Sequence, residues 1–154
     1  TIHENIRLGA SLPEQRVKDA MKIVGADRFI DKLSEGLDTT LSERGTSLSV
    51  GERQLISFAR ALAFDPQILL LDEATSSVDR ETEALIQTAL EKLLKNRTSL
   101  VVAHRLSTIQ NMDRILVLHH GRIQETGTHK ELLRRGGLYR DLYSLQFQNG
   151  RGKE

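Results

Sequence analysis

Ile68-Leu69-Leu70-Leu71-Asp72-Glu73 is the stretch on which the fold turns. Its first four residues are a continuous apolar run, bounded by Pro66 on one side and by a pair of carboxylates on the other. Such a run reads as a strand buried on both faces, although periodicity alone leaves a buried helix segment open. Upstream, Leu55, Phe58, Ala59 and Leu62 recur with helical period between Gly51 and Phe64. Asp65-Pro66 ends that helix, because proline disfavours the α conformation in the residue before it. Downstream, Ile86, Leu90, Leu93 and Leu94 share one face of a helix over 81–95, and a second apolar strand follows from Ser99 to Val102. A strand, crossover helix and strand of this length make a βαβ unit, so the two strands are expected to be parallel.

Working outward, Val17, Ala20, Met21 and Val24 fall at i, i+3, i+4 and i+7 behind Pro13, which predicts an amphipathic helix over 13–24 ended by Gly25. A short helical stretch from Ala26 to Leu33 leads into a loop at Gly36-Leu37-Asp38-Thr39-Thr40. Towards the other end, Ile115 to Leu118 and Arg122 to Glu125 flank His119-His120-Gly121 as a hairpin. Two short helices over 130–135 and 138–147 follow. The organisation expected is a helical part over 1–50, an α/β part over 51–147 and a polar, frayed tail over 148–154.

The 154 residues balance 22 Lys+Arg against 21 Asp+Glu, a net charge of +1, so no overall field argues for nucleic acid or an acidic membrane. Any phosphate chemistry is therefore local. With no cysteine there are no disulfides, thiol nucleophiles or Cys-ligated zinc, and the cytosol is the default compartment. No apolar run approaches the roughly 20 residues of a membrane-spanning helix. The polar start at Thr1-Ile2-His3-Glu4 is neither a signal peptide nor a domain start, and the left edge reads as a cut.

In open α/β sheets ligands bind at the carboxyl ends of strands, and both strands here end in ionisable residues: Asp72-Glu73 and His104. Neighbouring side chains at a strand end point apart. One carboxylate can then hold a hydrated Mg²⁺ while the other orients and deprotonates a water. Taken alone, Asp72 and Glu73 can equally end a strand, with Thr75 or Ser76 capping the next helix. Leu48-Ser49-Val50-Gly51-Glu52-Arg53-Gln54 enters a helix, where free backbone amides make a phosphate site and where Ser49 can equally be a plain cap.

In order along the chain, these pieces resemble the ABC ATPase family. Leu48-Ser49-Val50-Gly51-Glu52 resembles its signature and Ile68 to Glu73 its Walker B strand with catalytic Glu. Ser76-Ser77-Val78-Asp79 resembles its D-loop, and Ala103-His104-Arg105-Leu106-Ser107-Thr108 its switch-histidine loop. Glu43-Arg44-Gly45 resembles the coupling segment of exporters, and Thr1 to Gly9 the segment just after the Q-loop. The resemblance implies an α/β fold: an incomplete P-loop NTPase-like sheet with parallel core strands, a C-terminal hairpin and an N-terminal helical subdomain.

It also implies roles, with ATP and Mg²⁺ as cofactors. Asp72 would contact the Mg²⁺ shell, Glu73 would act as general base or water-positioner, and His104 would contact the γ-phosphate. Ser49 and Gly51, with Val50 and Glu52 between and beside them, would reach the γ-phosphate of ATP held by a second ABC ATPase domain. Asp79 would lie at that dimer interface. A transmembrane domain would be the other partner, with the chain on the cytoplasmic side of the membrane and no nucleic acid bound.

Two residues depart from the signature. Val50 replaces its usual glycine and adds a Cβ beside the phosphate. Glu52 replaces its usual Gln and adds a negative charge, unless it points away or pairs, for instance with Arg53. No G-x-x-x-x-G-K-S/T occurs in the sequence, so nothing here cradles β- and γ-phosphates, and the chain alone is expected to be inactive. It would act as the hydrolytic part of an exporter ATPase or, alternatively, as an interaction module offering its signature face to a partner's nucleotide. A DNA-repair or chromosome-maintenance ATPase is disfavoured by the His104 to Thr108 run and by the lack of a coiled coil or basic stripe. Missing core strands would leave apolar edge exposed, so the isolated chain is expected to be marginally stable or to associate.

Overall fold

The computed structural model describes residues 1–42, 45–72, 80–102 and 106–151. They divide into two compact units, Thr1–Val101 and Val102–Glu154.

In the first unit, helices α1 (Ile2–Arg7), α2 (Glu14–Val24) and α3 (Asp27–Ile30) precede a short 3₁₀ turn (Gly36–Asp38) and helix α4 (Val50–Phe64). Strand β1 (Ile68–Asp72), helix α5 (Arg80–Leu94) and strand β2 (Thr98–Val102) follow. Helix α4 is the centre of this unit: α1, α2 and α5 all pack on it. Its sequence explains why. Leu55, Ile56, Phe58, Ala59, Leu62 and Ala63 are all buried, giving an apolar face broad enough for three neighbours, and the two alanines let them approach closely.

The expected helix behind Pro13 is α2, with Pro13 at the N-cap, one residue earlier than its expected first-turn place, and Gly25 closing it in the left-handed region (φ 75). The expected crossover also holds. The Thr98 amide donates to the Gln67 carbonyl at 3.2 Å where both strands begin, so β1 and β2 run side by side in one direction.

One expectation is corrected. Strand β1 is not buried on both faces: Leu69 packs into the core, whereas Ile68 and Leu70 are 67% and 74% exposed. Leu100 and Val102 of β2 are exposed in the same alternating way. The two-stranded sheet lays one face on the helical core, and its other face carries the exposed Ile68, Leu70 and Leu100.

The second unit contains α6 (Leu106–Gln110), β3 (Ile115–His119), β4 (Arg122–Gly127), α7 (His129–Arg135) and α8 (Leu138–Arg151). β3 and β4 form the expected antiparallel hairpin as a two-stranded sheet of their own. Its turn, His120-Gly121, has positive φ at both residues (48° and 73°), the conformation whose twist matches a two-residue hairpin. Ile115, Val117, Leu132 and Tyr139 make this unit's core. Glu125 accepts the Leu138 and Tyr139 amides, both at 3.0 Å, and so caps α8 from a neighbouring strand. Helix α8 continues through Arg151, and residues 152–154 of the expected tail lie outside the described residues.

Candidate functional site

Residues 49–52 form the first turn of α4. Ser49 is the N-cap, in extended conformation, and its Oγ accepts the Glu52 amide at 3.2 Å. The Glu52 Oε2 in turn accepts the Ser49 amide at 2.8 Å. This reciprocal capping box satisfies two of the amides that a helix start leaves without partners. It also answers the question that Glu52 raises: the carboxylate is held back on the N-cap amide. Arg53 is not its partner.

The amides of Val50 and Gly51 make no hydrogen bond within the described residues. The box thus leaves two adjacent N–H groups beside the exposed Ser49 side chain, at the positive end of a 15-residue helix. Such a set suits an anionic oxygen. Gly51 is buried, and the Thr82 Cγ2 of α5 stands where its Cβ would be, so this turn is seated directly on α5. Val50 is half-buried.

Arg53 reaches backwards. Its Nη1 donates to the carbonyls of Gly45, at 3.3 Å, and Leu48. On the outer side of α4, Val50, Arg53, Gln54, Ser57, Ala61 and Phe64 line an open cleft of about 750 Å³ whose other wall is β1, ending at Asp72.

Asp72, the last residue of β1, is exposed and has no hydrogen-bond or ion-pair partner among the described residues. A free carboxylate at a strand end suits a ligand to a hydrated cation. Among the described residues no three His, Asp or Glu side chains converge, and Mg²⁺ commonly takes one or two carboxylates together with waters and phosphate oxygens. Asp72 and Val50 line the same cleft. Glu73, Asp79 and His104 lie outside the described residues, as do Glu43 and Arg44.

Sequence reasoning missed the Thr82 seat of Gly51 and the two carbonyls held by Arg53. The capping box did have a signal, the Ser-x-x-Glu spacing of residues 49–52.

The sequence profile described as ABC transporter matches residues 1–76. The chain is 55% identical over 148 residues to the ABC transporter ATP-binding protein YknV of Bacillus subtilis (strain 168), covering 96% of this chain and 24% of that one. It is 53% identical over 150 residues to the ATP-dependent lipid A-core flippase of Hahella chejuensis (strain KCTC 2396), covering 96% and 26%. Among solved structures, a bacterial Atm1-family ABC exporter with ATP bound is similar at a TM-score of 0.84 and 44% identity, over 95% of this chain and 26% of that chain. The chain therefore spans about a quarter of the length of these relatives. Among the described residues no helix is long and apolar enough to cross a membrane.

Proposed function

Because this chain belongs to the ABC transporter family, we propose that it is the signature-bearing and water-activating part of an exporter ATPase domain. In the complete protein that domain would bind and hydrolyse ATP on the cytoplasmic side of a membrane, driving export through a transmembrane domain. The observation that carries the reading is the pair of amides without hydrogen-bond partners among the described residues, Val50 and Gly51, beside the Ser49 hydroxyl at the start of α4.

In this reading Ser49, Val50 and Gly51 hold the γ-phosphate of ATP bound to a second ABC ATPase domain, homologous or identical. Glu52 takes no part in that contact, because the capping box holds its carboxylate on the N-cap amide. Mg²⁺, when bound with the nucleotide, supplies neutralisation of charge on the phosphate oxygens. Asp72 holds the water shell of that cation. Glu73 orients the attacking water and takes its proton, a contribution of roughly 10²–10⁴ in rate. His104 donates to the γ-phosphate, and Asp79 lies at the interface of the two domains. The phosphate cradle comes from a G-x-x-x-x-G-K-S/T loop that these 154 residues do not include.

The same two amides equally favour a second reading, an interaction module that completes a partner's site while Glu73 stays idle. Magnesium-dependent ATPase of the complete protein separates the two. The first expects Glu73→Gln to abolish turnover while ATP still binds, whereas unchanged turnover in that variant leaves only the second. The 154-residue chain alone is expected to show no turnover, and activity there that Glu73→Gln removes would overturn the dependence on an outside phosphate loop.

A further inference from the structure

Arg53 directly follows the first turn of α4, near the end of the helix whose dipole disfavours a cation. Its side chain does not reach for Glu52 next to it. It turns back past the N-cap, and Nη1 donates to the carbonyls of both Gly45 and Leu48. Bonds from a charged donor of this kind are roughly twice as strong as neutral ones.

The segment it grips is itself a closed turn. The Gly45 amide donates to the Ser42 carbonyl at 2.8 Å, and the Leu48 amide to the Gly45 carbonyl at 3.0 Å. Ser42 Oγ accepts the Ser47 amide at 3.1 Å and lies 2.8 Å from the Thr46 hydroxyl. Gly45 has φ 64, in the left-handed region, and a Cβ there would stand 3.2 Å from the Arg53 Cδ, so the turn and the arginine stem fit tightly. Leu48 is buried in the core, and Ser49 follows at once. The path by which the chain arrives at Ser49 is thus set by two carbonyls, and one guanidinium holds both.

We infer that Arg53 is a positioning residue for the phosphate-facing turn: by holding Gly45 and Leu48 it fixes the aim of the Ser49 hydroxyl and of the Val50 and Gly51 amides. It also leaves a positive charge beside them. This rests on the reading of residues 49–51 as a phosphate contact.

The test uses the complete transporter subunit and reads three quantities: ATP affinity, ATP-dependent association of the two ATPase domains, and kcat. Arg53→Met keeps the stem and removes the donors. It is expected to weaken association and lower kcat about tenfold, the scale of losing hydrogen bonds from a charged donor, while ATP affinity stays within twofold. Arg53→Lys, which restores a charge and donors on a similar stem, is expected to recover part of the loss. Where Arg53→Met does not fold, Arg53→Gln replaces it, with one donating amide and the same expected direction. Ser49→Ala is the control for the underlying reading. Association weakened by Ser49→Ala but untouched by Arg53→Met or Arg53→Gln overturns the role of Arg53 alone. Association untouched by Ser49→Ala overturns the phosphate contact itself. Equal losses in Arg53→Met and Arg53→Lys, with ATP affinity falling in parallel, also overturn the positioning role, because they mark general damage to the fold.

Discussion

Gly51 of α4 and Thr82 of α5 approach so closely that the Thr82 methyl fills the space a Cβ on Gly51 would need. Here the turn whose Val50 and Gly51 amides make no hydrogen bond among the described residues is pressed onto the helix that follows the carboxylate segment. Gly51→Ala forces that methyl or the helix to move, and overpacking of this kind costs about 1–3 kcal/mol. A lowered urea midpoint at unchanged slope is the expected result. Thr82→Ser removes the methyl and keeps the hydroxyl, so the double variant is expected to regain most of the loss in a double-mutant cycle.

The capping box separates two roles of Ser49. Ser49→Ala is expected to cost about 1 kcal/mol through the lost cap, read as faster amide exchange in the first turn of α4. Glu52→Gln keeps an oxygen that can accept the Ser49 amide, so its exchange is expected to stay close to that of the parent. A larger effect from Glu52→Gln than from Ser49→Ala would count against this geometry.

Arg97 ties the ends of two helices together. Only 16% exposed, it donates to the Leu93 carbonyl at 3.0 Å, closing α5, and to Asp65 Oδ1 at 2.7 Å, where α4 ends. Asp65 is itself largely exposed, so the ion pair contributes little and the carbonyl cap more. Arg97→Met is expected to destabilise the chain by about 1–2 kcal/mol through the partners left without a donor. Asp65→Asn is expected to cost less than half of that, checked by thermal or urea melting of both variants.

At the start of α7, Glu131 accepts hydrogen bonds from Thr128, first from its amide and then from its side chain, which hold its carboxyl below the ordinary carboxylate value. A depressed folded-state value means stabilisation that is fully present above the unfolded value and is lost as pH falls through the folded one. Acidification should therefore fray α7 from its first turn. Thr128→Ala is expected to move the Glu131 titration upward, measurable from its carboxyl carbon shift in an NMR titration. No movement would mean that the cap does not hold the carboxylate.

Much of this architecture is legible in the amino-acid sequence. The β1–α5–β2 unit follows from two apolar runs, one helical face and Pro66, because those patterns act locally. What covers a strand does not: Ile68 and Leu70 read as buried from composition, yet both are exposed. The Ser49–Glu52 box recurs at Thr1–Glu4 and Thr128–Glu131, each with the same spacing, so all three helix starts carry a sequence signal. At Glu52 that signal competes with a second one, since a carboxylate close to an anion site also reads as a repulsive charge. Arg53 is legible as a cation but not in its direction, because its carbonyl partners depend on how the Gly45 turn folds back on the helix. Helices α1 and α6 are too short for periodicity to reveal.

The measurement that bears most directly on the phosphate-facing turn is ATP-dependent association. The complete subunit, carrying Glu73→Gln to prevent turnover, is mixed with an ABC ATPase domain that has an intact phosphate loop, and sedimentation is followed with and without ATP and Mg²⁺. The expected result is a complex that forms only with the nucleotide and is weakened about tenfold or more by Ser49→Ala, as loss of a hydrogen bond to a charged group implies. Absence of any complex at saturating ATP, or a complex indifferent to Ser49→Ala, would contradict the account.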